Sequence, residues 1–178
     1  RFKIRTNLNY SKALIMKTSI SLIGMAGAGK SSIGTKLAKT LKLEFIDSDL
    51  LIEKNFNQNL QSILDDLGYL KLRSIEEETL LSIDLKEMVL STGGSAVYSA
   101  KGMQHLKENS IVVYLEVPFE QILKRVPSFL DRGFAKDPSH SIEEAFNERQ
   151  DLYKASAHYT ITNTDDLHTC VSKILELL

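Results

Sequence analysis

Residues 24 to 31 read Gly-Met-Ala-Gly-Ala-Gly-Lys-Ser, which satisfies the spacing G-x-x-x-x-G-K-[ST] of a phosphate-binding loop. Each residue type has a task. Gly24, Gly27 and Gly29 let the backbone turn tightly and present bare N–H groups to an anion, and the following helix adds the positive end of its dipole. Lys30 can reach the β- and γ-phosphates of a nucleoside triphosphate, and the Ser31 hydroxyl can ligate Mg²⁺. Further along stand Asp47 and Asp49, two apart where a short β-rich segment ends. Side chains alternate along extended backbone, so both carboxylates can point into one site. One could steer a metal and the other contact a substrate hydroxyl, or Asp49 could only cap the helix that begins at Leu50.

Arg149 is a third chemical signal. Ile142, Ala145, Phe146, Leu152 and Tyr153 form the inward stripe of a helix opened by the capping box Ser141-Ile-Glu-Glu144, and Arg149 lies on that stripe. A buried arginine needs a partner. It either pairs with an internal carboxylate or faces a cleft and binds an anion, for which its forked guanidinium is suited. Arg73 and Glu76 stand three apart on a helix and read as a surface pair unless a site lies nearby. Arg125 and Arg132 bracket the first half of an irregular stretch, either a solvated loop or a mobile lid over phosphates.

The elements that must position these residues alternate. Strand-like segments at 18–23, 44–46, 88–92, 111–117 and 159–162 are separated by helical patterns; Ile33, Leu37, Ala38 and Leu41 make the first of these patterns, and the last runs from Leu167 to Leu178. Helical stretches fill the chain from Leu50 to about Lys86, and Pro118 opens a helix where proline is tolerated. Such alternation predicts an α/β three-layer sandwich with a five-stranded parallel sheet. Ligands of such sheets bind at the carboxyl ends of the strands, where the loop, Asp47/Asp49 and Gly93-Gly94 all fall.

The 178 residues suit one domain able to bury a core unaided. A single cysteine, Cys170, excludes an internal disulfide and a cysteine-based zinc site, and a reducing, cytoplasmic compartment is expected. No apolar run approaches the roughly 20 residues of a membrane span, and the four histidines lack ligand spacing. Residues 1–43 hold nine Lys or Arg and no acid, leaving a net charge of −10 on the remainder. That basic pole suits a polyanionic nucleotide or forms the solvated face of the first helix; it is not interleaved with aromatics as in nucleic-acid binders. Residues 1–15 are read as an N-terminal extension, from cloning, upstream translation or a targeting peptide.

In this order, the stretches Gly24–Gly34, Phe45-Ile-Asp-Ser-Asp49, Leu72-Arg-Ser-Ile-Glu76, Val89-Leu-Ser-Thr-Gly-Gly-Ser95 and Glu148-Arg-Gln-Asp-Leu-Tyr153 resemble the shikimate kinase family, over roughly residues 17–178. The resemblance implies a P-loop kinase of the nucleoside monophosphate kinase-like fold, with a mobile lid at about 126–140. Its activity would be phosphorylation of the 3-hydroxyl of shikimate by ATP, with Mg²⁺, on the route to chorismate and the aromatic amino acids. ATP would lie on Gly24, Ala26, Gly27, Ala28, Gly29, Lys30, Ser31 and Ser32, with Arg125 near the adenine and the lid arginine, Arg132, on the transferring phosphoryl. Ser31 and Asp47 would place the metal. Asp49 would be the base and contact the ring hydroxyls, Arg73 and Arg149 would grip the carboxylate, and Gly93, Gly94 and Ser95 would lie beneath the substrate. Asp49, Lys30 and Arg132 would be catalytic. The partners expected are ATP and a small carboxylated polyol, with no nucleic acid and no membrane, and the protein is expected to be a monomer.

Three departures stand out. Ser95 replaces a third glycine, Leu72 a phenylalanine, and Arg132-Gly-Phe-Ala135 the family's Arg-Pro-Leu-Leu. They leave room for another acceptor, such as a gluconate-type sugar acid. A nucleotide-binding module without phosphotransfer would have lost Asp49, Arg73 or Arg149, and all three are present. A GTPase-like switch would need an Asn-Lys-x-Asp motif, which the chain lacks.

Overall fold

Residues of alternating environment set the sheet. In β1 (Ser19–Ile23), Ile20 and Leu22 enter one apolar cluster while Ile23 enters another on the opposite face, the two-residue period of a strand covered on both sides. The structure is a computed structural model that describes residues 19–126, 128–129, 133–164 and 166–178; the N-terminal extension of residues 1–15 and Arg132 lie outside the described residues. Four further strands, β2 (Glu44–Asp47), β3 (Met88–Ser91), β4 (Ser110–Glu116) and β5 (Tyr159–Thr162), complete an all-parallel sheet in the order β2-β3-β1-β4-β5. This is the sheet that the alternation of elements predicts.

Helices cover both faces. On one, Ile33, Leu37 and Ala38 of α1 (Lys30–Leu41) pack with Cys170, Val171 and Ile174 of α8 (Leu167–Leu175) over Ile20, Leu22, Val113 and Leu115. Gly34 keeps α1 close: a methyl there would meet the Phe45 ring at 2.5 Å. On the other face, Leu80 of α4 (Tyr69–Ser82) and Met103 and Leu106 of α5 (Ala100–Asn109) pack on Leu90, Val112 and Tyr114. A small third cluster joins Ile52 of α2 (Ser48–Phe56), Leu60 and Ile63 of α3 (Leu60–Leu67), Leu72 and Ile75 of α4, and Ala135.

The remaining helices are α6 (Phe119–Arg125) and α7 (Ile142–Ser156). Pro118 caps α6, and Ser141 and Glu144 form the expected reciprocal cap of α7. Two helix ends differ from the sequence pattern. The helical run expected to reach about Lys86 stops at Ser82, because Ile83 is extended (φ −80°, ψ 119°) and carries its side chain into the second cluster. The last helix ends at Leu175, beyond which Leu177 and Leu178 only pack on its cluster from the terminal turn. The sequence pattern also missed a 3₁₀ turn over Ala96–Tyr98; three residues are too few to show a period.

Candidate active site

The phosphate loop joins the carboxyl end of β1, the central strand, to α1. This is the switch point of the sheet, where connections leave in opposite directions and a crevice opens. Gly27 and Gly29 have φ of 83° and 90°, values that side chains disfavour. Gly29 is the N-cap of α1 and offers no side-chain hydrogen bond, and no acid stands in the first turn. The first N–H groups of the helix thus face the crevice without an internal competitor, as an anion site requires.

A cavity of about 720 Å³ lies over this loop. Of the residues singled out in the sequence, it is lined by Ala26, Gly27, Gly29, Lys30, Ser31, Ser32, Asp47, Asp49, Gly94 and Arg125, joined by Leu50, Glu53, Leu60, Ser91 and Thr92. Gly24 and Ala28 lie underneath: the Gly24 carbonyl accepts from Lys30, and the Ala28 N–H is spent on Met25 O at 3.0 Å. Lys30 is buried and donates to the carbonyls of Gly24 (2.7 Å) and Met25 (2.9 Å). Burial lowers its pKa to about 8, against the pull of Asp49 and Asp47.

Asp47, not Asp49, caps α2. Its Oδ1 accepts from the N–H groups of Asp49 (3.0 Å) and Leu50 (3.5 Å), and its Oδ2 from the Ser31 hydroxyl at 2.6 Å. These hard oxygen donors, open to the cavity, fit Mg²⁺, which binds through one or two carboxylates plus substrate phosphates. No group of three or more His, Cys, Asp or Glu that could cage a metal occurs among the described residues.

Asp49 is therefore released from capping. Among the described residues its Oδ1 is buried without a hydrogen-bond partner. Burial first, then the nearby Glu76 and Asp47 carboxylates, push its pKa up to about 7, against Lys30. Gly93 separates the two acids: a methyl there would meet Glu76 Oε1 at 2.4 Å and Asp49 Oδ1 at 2.6 Å. Glu76 is buried, which raises its pKa, and accepts from the Ser95 hydroxyl. Ser95 carries no strain at the position of the third glycine, with φ −95° and ψ −2°. Its side chain is turned to Glu76, away from the cavity.

Arg149 is fully buried, as its helical stripe predicts. Among the described residues neither it nor Arg73 has a carboxylate within 4.0 Å. Instead both guanidiniums converge on one backbone oxygen, Ala135 O, which accepts from Arg73 Nε (3.2 Å) and Nη2 (3.0 Å) and from Arg149 Nη2 (3.0 Å). Arg149 also lies 4.2 Å over the Phe134 ring, and Arg73 3.6 Å over Tyr98. The two arginines are together, behind Ala135.

Sequence reasoning missed Asn163. It is buried just beyond β5, and its side-chain amide N–H donates to Ala28 O (2.8 Å) while its backbone carbonyl accepts from Arg125 Nη2 (2.9 Å). An isolated asparagine between a strand and a helix carries no signal. Asn163→Ala removes the strut under the phosphate loop. It is expected to raise KM for ATP about 3- to 10-fold and to cost about 1–2 kcal/mol of stability, as measured by steady-state kinetics and urea unfolding.

The family model described as shikimate kinase matches residues 26–178. A shikimate kinase of Francisella tularensis subsp. novicida is 38% identical over 170 residues, covering 93% of this chain and 97% of that protein. One from Acinetobacter baumannii is 36% identical over 172 residues, covering 94% and 96%. The solved structure of shikimate kinase from Acinetobacter baumannii in complex with shikimate superposes with a TM-score of 0.83 at 35% identity, over 94% of this chain and 96% of that one. The Aquifex aeolicus enzyme superposes at 0.75 with 26% identity, over 90% and 95%. The match thus extends along nearly the whole length, and the chain belongs to the shikimate kinase family.

Proposed function

We propose that the chain transfers the γ-phosphoryl group of ATP to the 3-hydroxyl of shikimate, giving ADP and shikimate 3-phosphate. The observation that carries this reading is the convergence of Arg73 and Arg149 on a single oxygen, with Arg149 lying against Gly94, a wall of the cavity that the phosphate loop and Asp49 also line. Two guanidiniums without a carboxylate of their own among the described residues suit an acceptor that brings one. A bound shikimate in the Acinetobacter relative supports the same acceptor. In this reading the acceptor carboxylate takes the place that the Ala135 carbonyl holds here.

In the reaction the acceptor hydroxyl oxygen forms a bond to the γ-phosphorus as the bond from that phosphorus to the β–γ bridging oxygen breaks. ADP leaves with the electron pair, and the hydroxyl proton passes to Asp49. A carboxylate whose pKa lies near 7 is matched to that proton at neutral pH. Lys30 leaves the loop carbonyls for the β- and γ-phosphates, and the N–H groups at the start of α1 hold the same oxygens. Ser31 and Asp47 would hold Mg²⁺, which when bound supplies charge neutralisation at the phosphates. Arg125 takes the nucleotide side, and Arg132 is assigned to the transferring phosphoryl on the family resemblance.

The test is ADP release by the purified protein with ATP and Mg²⁺, comparing shikimate, gluconate and no acceptor. Shikimate-dependent release at least about 100 times the other two rates is expected; equal release with gluconate would move the assignment to a general sugar-acid kinase.

A further inference from the structure

Tyr98 ends the short turn that follows Gly93, Gly94 and Ser95, and it touches both arginines. Its ring lies flat under Arg73, with the guanidinium carbon 3.6 Å from the centroid, and 5.3 Å from that of Arg149. Its hydroxyl donates to Glu148 Oε2 at 2.9 Å. The proton being so placed, the oxygen is left to accept from Arg149 Nε at 3.5 Å. One side chain therefore fixes the plane of one guanidinium through its face and the rotation of the other through its edge. The same two groups meet at one oxygen, Ala135 O.

We propose that Tyr98 is a positioning residue that sets Arg73 and Arg149 for the carboxylate of the acceptor. The proposal rests on the reading of these arginines as the acceptor's carboxylate site. Convergence of two cations on one point is opposed by their mutual repulsion. The electron-rich ring face offsets part of that repulsion. The link from Glu148 through the hydroxyl brings a remote negative charge to Nε of Arg149, on the same edge as the Nη2 that faces Ala135, and leaves that Nη2 itself unoccupied by Tyr98. Tyr98 thus orients the arginines without entering the seat itself, which Ala135 O holds here.

The experiment measures steady-state kinetics of the full chain with shikimate and with its carboxamide, for the wild type, Tyr98→Phe and Tyr98→Leu. Leucine keeps apolar contact with the second cluster, against which Tyr98 also packs, and phenylalanine keeps the ring. With shikimate, Tyr98→Leu is expected to raise KM about 10-fold and Tyr98→Phe about 3-fold. Turnover and KM for ATP should stay within about 2-fold, the pattern of lost ground-state binding. With the carboxamide, Tyr98→Leu should cost under about 2-fold, because the charge that the arginines serve is gone. Equal losses with both acceptors, or a parallel rise in KM for ATP, would mark Tyr98 as a packing residue and overturn the proposal. A wild type that turns over shikimate while both variants match it overturns the proposal alone; a wild type without shikimate turnover overturns the functional reading as well.

Discussion

Asp49→Asn is expected to lower turnover with shikimate by about 10²- to 10⁴-fold, the usual share of a positioned base, while ATP affinity measured by calorimetry changes less than about 3-fold. Among the described residues the buried Oδ1 of Asp49 makes no hydrogen bond, and its charge acts on Lys30 and Asp47 only through space, so nucleotide binding should follow it weakly. The same substitution should stabilise the metal-free protein at alkaline pH. The folded pKa of Asp49 is about 7, whereas in the unfolded chain an aspartate titrates near 3.9. Between those values the folded state holds more protons than the unfolded one, so the stability contributed by this group is present below about pH 4 and lost as pH rises through about 7. Asparagine resembles the protonated acid at every pH. Its advantage over aspartate should grow by about 1–3 kcal/mol from pH 5 to pH 8 in urea unfolding with chelator present. A difference that stays flat with pH would mean that Asp49 is not held against its charge, and a large loss of ATP affinity would make it a metal or structural residue.

What the sequence revealed here, and what it hid, divides along a physical line. The phosphate loop, Asp47 and Asp49, and the inward Arg149 were legible because each is a local pattern: a glycine spacing, an i, i+2 pair at a strand end, a polar residue on an apolar helical stripe. Their assembly followed from the parallel sheet, which sends every loop of interest to one edge. Contacts between residues far apart in sequence were not legible. Ser95 meets Glu76 nineteen positions away, so a serine that reads as a misplaced glycine is a partner for a buried acid. Arg73 and Glu76, which read as a surface pair, separate in the fold, one toward Ala135 and one toward Ser95. The Ala135 carbonyl has no sequence signature at all, since every residue has one. The sequence offered Asp49 as the cap; the turn of α2 gives that role to Asp47 instead, and among the described residues Asp49 Oδ1 is left without a partner.

Arg149→Met separates the two roles left open for an inward arginine. The side chain is fully buried and has no carboxylate within 4.0 Å among the described residues. Among the described residues its compensation is one carbonyl, a long bond to Tyr98, the Tyr153 hydroxyl and the faces of two rings, with the Glu76 charge acting only through space. A buried charge so weakly paired contributes little to folding, because its desolvation offsets what it gains. Methionine fills similar space without that cost, and Ala135 O keeps its bonds from Arg73. The melting temperature should therefore stay within about 3 °C of the wild type or rise. Catalysis should not survive as well: kcat/KM for shikimate is expected to fall about 10³-fold, the loss seen when one member of a desolvated charge pair is removed, with KM for ATP nearly unchanged. If Arg149 were instead a strut of the fold, the order would reverse. Stability would fall by about 3–5 kcal/mol, and the constants for ATP and shikimate would decline together. A side chain that is buried yet dispensable for folding, and indispensable for one substrate alone, is what an anion seat built in advance of its ligand predicts.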